Sequence, residues 1–149
     1  MATIIDFYSI VISLIELLEN LISVEKNKLE AVASKNLEVL NTCIKNEQVQ
    51  VLKLKGLDKK REQTLTALGY QNLTFREILA KLPADQKEEG NKLFTTLQKA
   101  TTEFNAINDS VKVALDVNLH LVNSELSKLG LNPETKQTPS GNNLKNKFA

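Results

Sequence analysis

The chain has 149 residues, 42% of them hydrophobic and 25% charged, with a formal net charge of +1. That is one domain's worth of protein with enough apolar material for a core, and it excludes wholesale disorder. A near-zero charge gives no electrostatic reason for nucleic acid as a partner. Aromatics are only 5% and Trp is absent, so the core must be largely aliphatic. Cys43 is the single cysteine, which rules out an intrachain disulfide and reads as a small apolar helix residue in a reducing compartment.

The first segment, from Ile4, is rich in Ile and Leu. Asp6, Glu16, Glu19 and Asn20 interrupt it, and its longest uncharged run is Phe7 to Ile15. A bilayer span needs about 20 nearly uncharged residues, and a secretory signal begins with basic ones. The segment is therefore expected to be an amphipathic helix of a cytoplasmic protein without stable membrane insertion. Thr3 is placed to cap it, with Asp6 three residues on. Ile4, Phe7, Val11, Leu14, Leu18 and Leu21 form one ridge. Ile5, Tyr8, Ile12, Ile15 and Ile22 form a second beside it. Two adjacent ridges make a wide apolar face that touches more than one neighbour, in a helix running to about Ala33.

Ser34 reads as the break and as the N-cap of a second helix. Its seam is Leu37, Leu40, Ile44, Glu47, Val51, Leu54, Asp58, Arg61, Leu65 and Leu68. The polar members leave two options: the middle of this helix is less buried than its ends, or those groups pair across the seam. Gly69 closes the helix. Lys53, Lys55, Lys59, Lys60 and Arg61 form the densest basic patch, but without aromatic interleaving it reads as a solvated face rather than a nucleic-acid site.

Thr74 caps a short helix, Phe75 to Lys81, and Pro83 ends it and can occupy the first turn of the next. The last helix carries Leu93, Leu97, Ala100, Phe104, Ile107, Val111, Leu115, Leu119, Val122, Leu126 and Leu129. Gly90 is expected to weaken its start, placing the ordered part nearer Asn91, and Gly130 closes it. Beyond lies an Asn/Pro/Thr/Lys-rich tail with no apolar stripe, expected to be disordered. Three of the basic residues (Lys136, Lys145, Lys147) and one acidic one (Glu134) fall there, so the tail is weakly basic and the body close to neutral. Leu144 and Phe148 are either incidental in it or short contact points for a partner.

The fold expected is all-α: an elongated antiparallel bundle, or coiled-coil hairpin, of three long helices with one short connecting helix and a disordered C-terminal tail. Residues 1–130 form the bundle domain and 131–149 the flexible tail.

Residues for covalent chemistry are missing. His120 is the sole histidine, and a phosphotransfer bundle would place Lys and Gly three and four residues after it. Asn123 and Ser124 stand there instead. Bundle metal sites use Glu-x-x-His pairs, but Val117 precedes His120 by three and no second histidine exists. No glycine-rich phosphate loop appears. The expectation is a binding protein, not an enzyme, with no catalytic, cofactor-binding or metal residues and no cofactors.

Several segments in order resemble the flagellar export chaperone family, FlgN. They are Leu14-Ile15-Glu16-Leu17-Leu18-Glu19, Glu25-Lys26-Asn27-Lys28-Leu29-Glu30-Ala31 and Leu37-Glu38-Val39-Leu40. Lys59-Lys60-Arg61-Glu62 before Leu65 and Leu68-Gly69 follows. Asn105 and Asn108 then open the apolar end of the last helix, and the tail closes with Asn146-Lys147-Phe148-Ala149. The resemblance covers essentially the whole chain. It implies a cytoplasmic helical chaperone that binds hook-associated (hook–filament junction) proteins, prevents their premature assembly and delivers them to the flagellar type III export apparatus. It also implies client engagement by the C-terminal region.

An amphipathic client helix needs an apolar groove. On this chain the candidate client-binding residues are Phe104, Val111, Leu115, Leu119, Val122, Leu126 and Leu129, with Leu144 and Phe148 from the tail. The same stripe can equally be bundle core. A chaperone of this kind is expected to be a monomer or weak dimer. Two alternatives are a structural coiled coil that self-associates through the same heptads and, from another class, a histidine phosphotransfer bundle.

Overall fold

The computed structural model describes residues 2–128, apart from the side chains at 118, 119 and 121–126. Four helices follow one another: α1 (Ile4–Ala33), α2 (Leu37–Leu68), α3 (Phe75–Ala80) and α4 (Ala84–Lys128). There is no strand among the described residues.

Thr3 caps α1 through a reciprocal pair: its hydroxyl accepts from the Asp6 amide, and Asp6 Oδ2 accepts from the Thr3 amide at 2.8 Å. Both predicted ridges of α1 find partners. Phe7, Val11, Leu14, Leu18 and Leu21 are buried, and so are Tyr8, Ile15 and Ile22 of the second ridge. The reason is position: α1 packs against α2 on one side and α4 on another, while α2 and α4 barely approach each other. In a small bundle the central helix has to be apolar over most of its circumference. This is why α1 has the length and hydropathy of a membrane span while its apolar residues form the middle of the packing.

The turn between α1 and α2 differs in detail from the sequence expectation. Ser34 is the C-cap of α1 and not the N-cap of α2; that role belongs to Asn36, whose Oδ1 accepts from the Val39 amide. The Asn36 amide donates to the Ala31 carbonyl and the Lys35 amide to the Val32 carbonyl, the double closure of a Schellman motif. Lys35 takes the left-handed conformation, φ 56°, that glycine usually fills there. A lysine at that place gives no sequence signal for a helix end, whereas Ser34 resembles an N-cap. At the far end of α2 the signal was clear, and Gly69, φ 80°, sits at the matching position.

α2 returns antiparallel to α1, so that Glu47 meets Lys28 and the end of α2 lies near the start of α1. The middle of α2 is not less buried than its ends, since Leu54 is buried and Leu37 is 72% exposed, so pairing across the seam is the reading that holds, and it holds in part. Glu47 pairs across the seam, whereas Asp58 and Arg61 pair within α2 at 3.1 Å. Cys43, Leu54 and Leu65 are the buried residues of the helix.

α3, capped by Thr74, plugs the open end. Phe75 stacks edge-on between Phe7 of α1 and Phe94 of α4, with ring centroids 5.3 and 5.2 Å away. α4 then starts at Ala84, with the Pro83 carbonyl accepting from the Lys87 amide, so Pro83 stands just before the helix rather than inside its first turn.

Gly90 does not delay α4. The helix runs straight through it, because a side chain there would collide with Leu79 of α3 and the Tyr8 hydroxyl of α1. The Tyr8 hydroxyl donates to the Gln86 carbonyl at 2.6 Å, which seats the ring on that glycine. Close packing of three elements outweighs about 1 kcal/mol of helix propensity.

Candidate functional site

Two contacts set the direction of α4. Tyr8 meets Gln86 near the start of α1, and Lys26 meets Glu103 at 3.5 Å farther along. α4 therefore runs parallel to α1, completing an up-down-up arrangement in which consecutive long helices are antiparallel. The two contacts share nearly the same register, so the end of α1 at Ala33 stands level with about residue 110 of α4. Val111 is the last buried residue of α4 among the described side chains. α4 nevertheless continues to Lys128, about 25 Å farther at 1.5 Å per residue. Neither α1 nor α2 extends that far.

This projecting arm begins apolar on several sides. Val113 is 62% exposed, Leu115 38% and Val117 54%. An isolated helix that is apolar all round is normally found buried. Here the supporting hairpin ends just before it.

The candidate client-binding residues divide accordingly. Phe104 belongs to the central hydrophobic cluster and Val111 is fully buried, so both are held in the chain's own packing. Leu115 is exposed on the arm. Positions 119, 122 and 126 lie within α4, with side chains outside the described set, and Leu129, Leu144 and Phe148 lie outside the described residues altogether. Sequence periodicity could not divide this stripe, because a heptad reads the same with or without a partner helix beside it. It also passed over Val113 and Val117, which sit off the stripe and stand out only by their exposure. His120 is exposed on the same arm.

Below the root of the arm lies a buried charged layer. Lys28 Nζ is 2.7 Å from Glu47 Oε2 and 3.5 Å from Glu25 Oε1. Glu25 Oε2 and, on the facing helix, Gln50 Oε1 are buried without a hydrogen-bond partner. One cation cannot neutralise two buried carboxylates. Burial, followed by the neighbouring Glu47, pushes the Glu25 carboxyl up to about 8 against the opposing pull of Lys28. Burial alone would raise Glu47 too, but hydrogen bonds from Glu25 and Lys28 take it below the ordinary carboxylate range. At neutral pH the layer therefore holds one proton, on Glu25, between two carboxyl groups.

A shallow, open concavity of about 530 Å³ lies between α1 and α2 at the turn. Its lining includes Asn27, Glu30, Asn36, Val39, Cys43 and Asn46. It contains no paired acid and base and no histidine. Among the described residues, no three His, Cys, Asp or Glu side chains are grouped to hold a metal ion.

A helical hairpin with one overlong helix that bares aliphatic surface defines a class: an all-α bundle whose longest helix outreaches the hairpin that supports it. The comparison with protein-family models agrees with that class, the model of the FlgN protein matching residues 1–141. The chain belongs to the FlgN family, the flagellar export chaperones. Searches of curated proteins and of solved structures give no match.

Proposed function

We propose that this chain is a cytoplasmic flagellar export chaperone whose clients are hook–filament junction proteins. In this reading it covers their amphipathic terminal helices, prevents premature assembly and hands them to the type III export apparatus. The observation that carries it is the arm of α4, which leaves the hairpin after Val111 and bares Val113, Leu115 and Val117. An amphipathic helix laid along the arm would replace the cover that α1 provides lower down. Family membership supplies the flagellar context. Leu119, Val122, Leu126 and Leu129 continue the surface in this proposal, and Leu144 and Phe148 add contacts from the tail.

The test is calorimetric titration of the full chain with a C-terminal helical peptide of a junction protein. Leu115→Ser together with Val117→Ser, one from each side of the arm, should weaken binding by tenfold or more, since loss of about 1.4 kcal/mol of apolar contact on the covered side is enough for that. Circular dichroism should be unchanged, because neither side chain is buried in the free chain. Truncation after Gly130 isolates the part played by the tail. Unaltered affinity in the double variant would remove the arm from the proposal.

The exposed arm also suits self-association through the same surface. Light scattering at micromolar concentration separates the two, the chaperone reading requiring a monomer or weak dimer and the structural reading a stable oligomer.

A further inference from the structure

α2 carries a second stripe that the bundle does not use. Lys45, Val49, Leu52, Gly56 and Lys59 follow one another at steps of four, three, four and three, the register of a coiled-coil seam. All five are exposed, Val49 by 50% and Leu52 by 67%. By helical periodicity they lie on the side of α2 opposite its buried residues Cys43, Leu54 and Leu65. Lys53 and Lys60, seven residues apart, lie along one side of the stripe. Among the described residues none of these four lysines is held in an ion pair, whereas Arg61, on the opposite side of α2, is paired with Asp58.

Gly56 completes the pattern. It lies in mid-helix, where glycine costs about 1 kcal/mol relative to Ala. Gly90 has tight neighbours that explain it, but nothing in this chain comes within 4 Å of the space a Gly56 side chain would fill. A glycine between two apolar knobs lets a partner's backbone or a large side chain approach closely.

From these observations we infer that the outer face of α2 is a second docking surface, distinct from the arm, for an acidic amphipathic helix of a partner protein. The apolar strip, two side chains long and narrow, seats one row of knobs. The lysines at its ends and along one side match Glu or Asp at the facing positions of the incoming helix. A lipid surface suits this face poorly, since interfacial helices present a broad apolar side with bulky residues and have no use for a glycine notch. A symmetric second copy would set lysine against lysine.

The test uses the full chain and a labelled synthetic helix of about four heptads, Leu at the seam and Glu at the flanks, whose acidic flanks keep it from self-pairing. A matched peptide carries Lys at the flanks. Fluorescence anisotropy should show the acidic peptide binding at least tenfold tighter than the basic one, with the difference shrinking in high salt. Lys53→Glu with Lys59→Glu should invert the preference. Gly56→Leu should weaken the acidic peptide at least fivefold with helicity and melting temperature preserved or raised, a result that charge alone would not produce. All these variants should retain the junction-protein peptide on the arm. Equal affinity for the two peptides, or no effect of Gly56→Leu, would overturn the inference. So would binding of phosphatidylglycerol vesicles or poly(dT) in place of the acidic peptide, and so would parallel loss of the junction-protein peptide.

Discussion

Gly90 shows how a residue that weakens its own helix can hold the fold together. On propensity alone, Gly90→Ala would stabilise α4 by about 1 kcal/mol. The added methyl would have to enter space occupied by Leu79 and the Tyr8 hydroxyl, the latter fixed on the Gln86 carbonyl. Overpacking of this kind costs about 1–3 kcal/mol, so sterics win. Gly90→Ala is expected to lower the urea midpoint at unchanged slope, by up to about 2 kcal/mol net. Gly56→Ala is the control, since open space surrounds it, and it should raise stability by several tenths of a kcal/mol or more. If both glycines respond alike, propensity alone governs the two positions.

At the scale of elements, the α1–α2 seam is joined toward its turn end by charges rather than by leucines. Glu25 keeps its proton up to about pH 8 in the folded chain but gives it up near 4.5 when unfolded. Unfolding therefore releases a proton between those limits, and this contribution to stability is fully present below about 4.5 and lost as pH rises to about 8. Glu47 acts in the opposite sense, its contribution being present above the ordinary carboxylate range and lost on acidification. Across neutral pH the Glu25 effect governs. Glu25→Gln keeps a donor toward Glu47 and cannot ionise, so its stability should be nearly flat from pH 5 to pH 9. It should exceed that of the natural chain at pH 9 by a few kcal/mol at most, that being the order of an uncompensated buried charge. Urea titrations across that range check this, and parallel pH profiles for variant and natural chain would show that Glu25 is not the titrating group.

Considered as a whole molecule, the protein has supported and unsupported parts. Up to Val111, α4 lies along α1; beyond it the helix continues without cover from the hairpin. Helical hydrogen bonds open more readily where no side-chain packing restrains them. Amide exchange should therefore be slow from about Leu97 to Val111 and faster from Lys112 to Lys128. A junction-protein peptide should slow the second stretch selectively. Uniform protection along α4 in the free chain would mean that the arm has cover of its own.

Much of this was legible in the residues. The 3–4 spacing of Leu and Ile is a direct consequence of helical geometry, so α1 and its double ridge, the Thr3 and Thr74 caps and the Gly69 stop could all be read from it. Signals that depend on one residue's backbone angle were weaker. The end of α1 at Ala33 follows from its periodicity, but Lys35 in a left-handed turn gives no cue to the closure, and the αR-configured Ser34 resembles the N-cap that Asn36 supplies. Gly90 was misread as a weak point, since its partners come from α1 and α3, far away in the chain.

The apolar stripe of α4 marks the limit of such reading. Phe104, Val111 and Leu115 are equivalent by periodicity, for local spacing states only that a face is apolar. Which of them is covered depends on where a different helix stops, and α1 stops at Ala33, level with the turn before Leu115. Helix type, caps and composition are set by interactions within a few residues, so the chain order carries them. The division into core and free arm, the proton held on Glu25 and the vacant notch at Gly56 arise from distances between remote segments, and these exist only once the helices have packed.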